Sequence, residues 1–171
     1  MLYFRRDDYA PFWLRLLIDV LESIATAVVC IAVTFALWGW ATAQVILLAW
    51  LGTVFCYFVL LKRTKMGTLG YRVGGVKIVG PDGNPASVFS LTLRLMFMLC
   101  PLWPVDVAWL PSDAHRQTLR DKFAQTYVVK RKAEPVGAGR LVHKYYDICG
   151  YNFLFREIEE APAVNLTFSR P

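Results

Sequence analysis

The chain has 171 residues, 56% of them hydrophobic and only 19% charged, with a formal net charge of +6. Soluble domains average about 45 to 50% apolar and about 25% charged, so an ordinary soluble domain is excluded, and a chain this apolar is no candidate for disorder. From Ser23 to Leu61 there is no Asp, Glu, Lys or Arg; at about 1.5 Å per helical residue that run crosses a hydrocarbon core of about 30 Å twice.

Arg5 and Arg6 precede the first apolar stretch in the manner of a signal peptide. The stretch is too long for one, carries Arg15, Asp19 and Glu22 in its first turns and continues toward a second span, so a retained anchor is expected. The first span is expected over about Leu14 to Leu37 and the second over about Ala43 to Leu61, joined by the uncharged turn Trp38-Gly39-Trp40-Ala41-Thr42 with two interfacial tryptophans. Arg15, Asp19 and Glu22 stand at i, i+4 and i+7, which places them on one stripe of a helix. Ionisable groups at the centre of a membrane helix cost roughly 2.5 to 3.5 kcal/mol each, so the stripe should face inward. Three readings stay open: an ion pair that orients helices, a proton or cation site at Asp19 and Glu22, where neighbouring carboxylates can retain a proton, or Arg15 reaching out to the interface.

Residues 62 to 77 carry Lys62, Arg63, Lys65, Arg72 and Lys77 and no acid. By the positive-inside rule this loop is expected in the cytoplasm, and the N-terminus with it. Gly67-Thr68-Leu69-Gly70-Tyr71-Arg72-Val73-Gly74-Gly75 lacks the Gly-Lys-Ser/Thr ending of a phosphate loop. Its glycines suit a tight exit from the second span and close packing, and Lys65, Arg72 and Lys77 beside them point to an anionic lipid headgroup.

The third apolar stretch, Ala86 to Leu110, is interrupted by Cys100-Pro101-Leu102-Trp103-Pro104 and followed by a second basic collar, Arg116, Arg120, Lys122, Lys130, Arg131 and Lys132. Two prolines break helix, and equal basicity at both ends favours a re-entrant hairpin over a straight third span. Within it, Arg94 is expected to face Asp19 or Glu22, and Asp106 to face Arg15. Val76 to Val79 and Thr126 to Val129 are expected to pair as a short cytoplasmic β pair. The resulting fold class is an all-α membrane protein of two transmembrane helices plus a proline-broken third segment. Its domains are expected to be a membrane domain over 1–132, a linker over 133–140 and a C-terminal cytoplasmic tail over 141–171 with Glu157, Glu159 and Glu160.

Cys30, Cys56, Cys100 and Cys149 have no metal-ligand spacing, and His115 and His143 stand in polar, basic loops without a nucleophile nearby. No enzyme, metal or cofactor is expected. The pI of about 9.3 belongs to loops beside the membrane, and no nucleic-acid partner is expected.

Three segments in order carry a resemblance: Tyr9-Ala10-Pro11-Phe12-Trp13-Leu14-Arg15-Leu16-Leu17-Ile18-Asp19, then Gly67 to Val79, then Asp113-Ala114-His115-Arg116-Gln117-Thr118-Leu119-Arg120-Asp121-Lys122. With these the chain, over about Tyr9 to Lys130, resembles the RDD family of small bacterial membrane proteins, named for one arginine and two aspartates. The resemblance implies that Arg15 is that arginine, Asp19 the first aspartate, and Asp121 the second, with Asp113 as the alternative. Tyr71 stands where many members carry Lys or Arg. The family implies a bacterial cytoplasmic (inner) membrane and ion transport or antiport. An ion pair between Arg15 and Asp113 or Asp121 would leave Asp19, with Glu22, for a proton or cation. Two or three helices enclose little, so a homo-oligomer or a membrane partner protein is expected beside the lipids. The competing reading is a non-transporting anchor or scaffold that docks partners through its tail.

Overall fold

The computed structural model describes residues 2–64, 66–100, 106, 109, 113, 115–148 and 150–160. A short strand β1 (Leu2–Tyr3) and a turn at Arg6–Asp8 lead to helix α1 (Phe12–Leu37), which starts after Pro11 in extended conformation. Proline suits that entry because its missing N–H costs no intrahelical bond at a helix start and its fixed φ fits the cap. Gly39, at φ +90°, turns the chain back. Helix α2 (Ala43–Phe55) then continues through a π-helical stretch (Cys56–Leu61). The indole N–H of Trp50 donates to the carbonyl of Cys30 (3.1 Å) and the hydroxyl of Thr34 (3.0 Å), so the two helices run antiparallel as a hairpin.

Phe12–Leu37 and Ala43–Leu61 are long and apolar enough to cross a membrane, with mean hydropathy of 2.3 and 2.2 over their most apolar windows. Their outward faces are rich in exposed large apolar side chains such as Ile24, Val28, Phe35, Leu48 and Leu51. Contiguous apolar surface of that kind is foreign to a water-facing helix and fits a membrane protein.

A short helix α3 (Leu69–Val73) leads into β2 (Val76–Val79). Helix α4 (Val88–Leu99) is capped by Ser87, whose hydroxyl accepts from the backbone N–H of Ser90 at 3.0 Å, and it ends with Cys100 extended ahead of Pro101. At 12 residues it is about 18 Å long, too short to cross about 30 Å of hydrocarbon. The proline break and the return of this segment lie outside the described residues. Helix α5 (Leu119–Ala124) and β3 (Tyr127–Lys130) follow. Strands β2 and β3 pair antiparallel with Val76 opposite Lys130 and Val79 opposite Tyr127. This pair covers a core of Ile18, Val59, Tyr71, Leu91, Leu95 and Val128 where α1, α2 and α4 converge.

The C-terminal region differs from expectation. Strands β4 (Gly137–Ile148) and β5 (Tyr151–Glu160) form a long antiparallel hairpin closing at Gly150 (φ +83°), and β1 joins it, with Leu2 opposite Ala138 and Tyr3 opposite Gly137. The expected linker over 133–140 therefore overlaps a paired strand, and an all-α description is corrected to a mostly helical one with two small sheets. The physical reason is local alternation: Phe153, Phe155 and Glu157 share one side of β5, and Ile158 completes a second core with Phe4, Tyr9, Tyr127 and Val129.

Candidate functional site

Asp121 organises the polar interior. Thr118 caps α5 and accepts from the backbone N–H of Asp121 (3.3 Å), while the Asp121 carboxylate accepts from the backbone N–H of Thr118 (3.2 Å). This reciprocal capping box fixes the carboxylate at the head of the helix. One of its oxygens then receives the guanidinium of Arg15 from α1 and the other that of Arg94 from α4. All three side chains are buried. Arg94 also donates to Thr126 Oγ1 at 2.7 Å and to the Tyr71 hydroxyl at 3.4 Å. Burial pushes the Tyr71 phenol up, but Lys62, Arg94 and Arg120 overcome it and hold its pKa below the ordinary value.

A second node adjoins the first. Arg120 pairs with Asp19 of α1 and, through Nε, with Asp106 at 3.1 Å, while its backbone N–H donates to Asp106 at 2.7 Å. Burial works against the Arg120 cation, yet Asp19 and Asp106 raise its pKa above the usual value. Three guanidinium groups thus face three aspartates, a balanced arrangement that a low-dielectric interior tolerates because no ion is left uncompensated.

A third node ties in the tail. The ammonium of Lys122 meets Asp113 (2.5 Å) and Glu157 and lies 4.5 Å from the centre of the Tyr146 ring. Asp113 in turn accepts from the backbone N–H groups of His115 (3.1 Å) and Gln117 (2.9 Å). Burial pushes the Glu157 carboxyl up, but hydrogen bonds from Lys122 and from the Tyr146 hydroxyl (2.5 Å) carry it below its ordinary range. His115 is buried between Tyr9 and Tyr127 rather than solvated, and burial lowers its pKa despite Asp113 and Glu157.

Several expected contacts are redistributed. Arg94 meets Asp121, not Asp19 or Glu22, and Asp106 meets Arg120, not Arg15. Arg15 pairs with Asp121, and Asp113 belongs to Lys122. Glu22 accepts from the backbone N–H of Gly70 (3.1 Å) and pairs with Lys62 (3.3 Å), whose ammonium lies 4.3 Å from the centre of the Tyr71 ring. Asp19 is not left alone, since Arg120 reaches it. It is nevertheless the most open acid of the two aspartate nodes, with 22% of its side chain exposed against 5% for Asp106 and none for Asp121. It lines a cavity of about 380 Å³ between α1 and α4, with Ser23, Met98 and Arg120. Of the expected lipid contacts, Arg72 is exposed on α3 and Lys77 lies on β2 beside a separate cavity that Arg72 does not line, while Lys65 lies outside the described residues.

In the sequence Arg120, Lys122 and Lys62 are legible only as collar charge, and Thr118 and Glu157 carry no site signal of their own. The usable signal was Thr118-Leu119-Arg120-Asp121, a capping-box spacing that fixes where Asp121 points. Among the described residues no group of three or more His, Cys, Asp or Glu is placed to hold a metal ion.

A family model described as "RDD family" matches residues 9–125, a span that contains Arg15, Asp19, Asp113 and Asp121. No curated protein and no solved structure matches the chain.

Proposed function

The chain belongs to the RDD family, and from that premise we propose that it is a multi-pass protein of a bacterial cytoplasmic membrane that moves protons or cations through an oligomer. The antiparallel hairpin brings the Arg15 end of α1 and Lys62 and Arg63 after α2 to the same side. The positive-inside rule then assigns that side, and the N-terminus, to the cytoplasm.

Asp19 is the exchangeable carboxylate, and the observation that carries this reading is that Arg120 is shared between Asp19 and Asp106. A proton or cation entering the cavity takes over the Asp19 oxygens. Arg120 then stays paired through Nε with Asp106, so no guanidinium loses its last carboxylate. Neutralising Asp121 would instead strip the carboxylate from two arginines at once, which costs several kcal/mol. Glu22, expected to share the ion, is committed to Gly70 and Lys62 and is structural in this reading. The hairpin of α1 and α2 encloses no pathway by itself, which is why an oligomer or a membrane partner belongs to the proposal.

The test is flux in proteoliposomes under an imposed pH or sodium gradient, with wild type compared to Asp19→Asn. Loss of flux in a folded Asp19→Asn protein is expected; unchanged flux would refute the site. A folded wild type that carries no flux would instead favour a membrane scaffold. The observation on that side is the β4–β5 hairpin, which exposes Tyr145, Tyr151 and Leu154 for a protein partner.

A further inference from the structure

Beside β2 lies a cavity of about 380 Å³ lined by Lys62, Arg63, Lys77 and Arg131. It draws cations from three places in the chain: the end of the second apolar helix, strand β2 and the residue after β3. Among the described residues no carboxylate lines it, and none pairs with Arg63, Lys77 or Arg131. Only Lys62 is partly neutralised, by Glu22 at 3.3 Å. Like charges gathered without a counter-ion repel one another, and the charge-assisted bonds they can form are strongest to a polyoxygen anion.

The backbone supplies part of the cavity wall. Gly67 also lines it, at φ +65°, a conformation that disfavours any side chain, and a Cβ there would lie 3.8 Å from Arg131 Nη2. Arg131 is itself anchored, its backbone N–H donating to the carbonyl of Gly75 at 2.7 Å. Its side chain therefore starts from a fixed strand end, and it lines the same cavity as Arg63.

We propose that this cavity binds a phosphate group. Arg63 and Arg131 supply planar donor forks, Lys77 and Lys62 supply point charge, and the site takes a phosphodiester or phosphomonoester in preference to a carboxylate because the cations surround it from several directions. Lys62 and Arg63 follow Leu61 directly. If the group comes from an anionic phospholipid, the site rests on the membrane orientation proposed above, with α2 ending at headgroup depth; a soluble phosphate compound needs no such placement.

Two probes separate the sources. Retention of phosphatidylglycerol by the detergent-purified full chain is read by native mass spectrometry, and protection against thermal unfolding by inorganic phosphate is read in phosphatidylcholine nanodiscs. The Arg63→Gln/Arg131→Gln variant should weaken binding of the responding probe about tenfold or more, the loss expected when two charge-assisted contacts go. The Arg63→Lys/Arg131→Lys variant should recover part of it, and Lys132→Gln, next in sequence but outside the cavity, should stay within about twofold of wild type, well under the 1.4 kcal/mol that a tenfold change represents. A response to phosphatidylglycerol alone assigns the lipid; a response to inorganic phosphate alone assigns a soluble compound. Binding by neither probe, an unaffected glutamine double variant, or an equal loss in Lys132→Gln overturns the proposal. The readout is binding rather than flux, so its failure and that of the transport reading remain distinguishable.

Discussion

Asp121 is the residue on which most of the buried charge depends. It compensates Arg15 and Arg94 together while closing the capping box of α5. Asp121→Asn keeps the shape and the acceptor for Thr118 but leaves two buried guanidiniums without a carboxylate, at a cost of about 3 to 5 kcal/mol. Thermal unfolding in detergent should show it as a large drop, and a wild-type melting temperature would contradict the assignment. Asp113→Asn should cost less, about 1 to 3 kcal/mol, because Lys122 retains Glu157. Acid acts on the same network. Both His115 and Glu157 have folded pKa values below their ordinary 6.5 and 4.5. A depressed value means that the unfolded chain binds more protons, so each contribution is present above the ordinary pKa and is lost as pH falls through the folded one. The melting temperature should therefore fall as pH drops from 7 toward 4, and Glu157→Gln should flatten the lower part of that fall.

Sequence reasoning reached Arg15 and, through the family resemblance, put Asp121 ahead of Asp113, but the residues alone gave no physical ground for that order, because 106 positions separate Arg15 from Asp121. Local chemistry makes the choice: Thr118 turns Asp121 back over the helix start, while the backbone amides of His115 and Gln117 hold Asp113 within its own loop. The partner of Asp19 was illegible for a related reason. Arg120 reads as one more collar cation until α5 folds it against α1.

At the scale of elements, the contact of α3 with α1 is set by glycine. A Cβ on Gly70 would lie 2.9 Å from Glu22 Cγ and 2.9 Å from the Ile18 carbonyl oxygen, and one on Gly74 would lie 2.7 Å from Ile18 Cδ1. The close packing expected of these glycines is thus visible against a neighbouring helix. Gly70→Ala should push α3 off α1, lengthen the hydrogen bond from Gly70 to Glu22 and lower stability by about 1 to 3 kcal/mol, measurable as a shifted unfolding midpoint. The β2–β3 pair was legible because each strand is a short run rich in β-branched residues, the first of them followed by a dense turn cluster, Gly80 to Pro85. The third apolar stretch was legible only at its start: Ser87 and the helical period define α4, whereas the residues beyond Cys100 lie mostly outside the described part of the structure.

For the whole molecule, the unexpected feature is that the C-terminal hairpin is built into the family region rather than appended to it. Glu157 reaches Lys122, Ile158 packs with Phe4 and Tyr9, and β1 pairs with β4. Composition hid this, because a strand pairing between residues 2–3 and 137–138 leaves no local signature at either end. Truncation after residue 136 should lower the melting temperature, since it strips Lys122 of one of its two carboxylates and opens the second core; an unchanged value would show that the hairpin is dispensable for folding.

In the proposed transport cycle Asp19, alone among the acids of the two aspartate nodes, exchanges its cation. Labelling by a hydrophobic carbodiimide in nanodiscs, located by peptide mass spectrometry, tests it directly, because the reagent modifies carboxyls that take up a proton in apolar surroundings. Modification at Asp19, suppressed by raised pH or by added sodium and accompanied by loss of flux, is the predicted result. Modification of Glu22 or Asp121 in the folded protein with Asp19 untouched would contradict it.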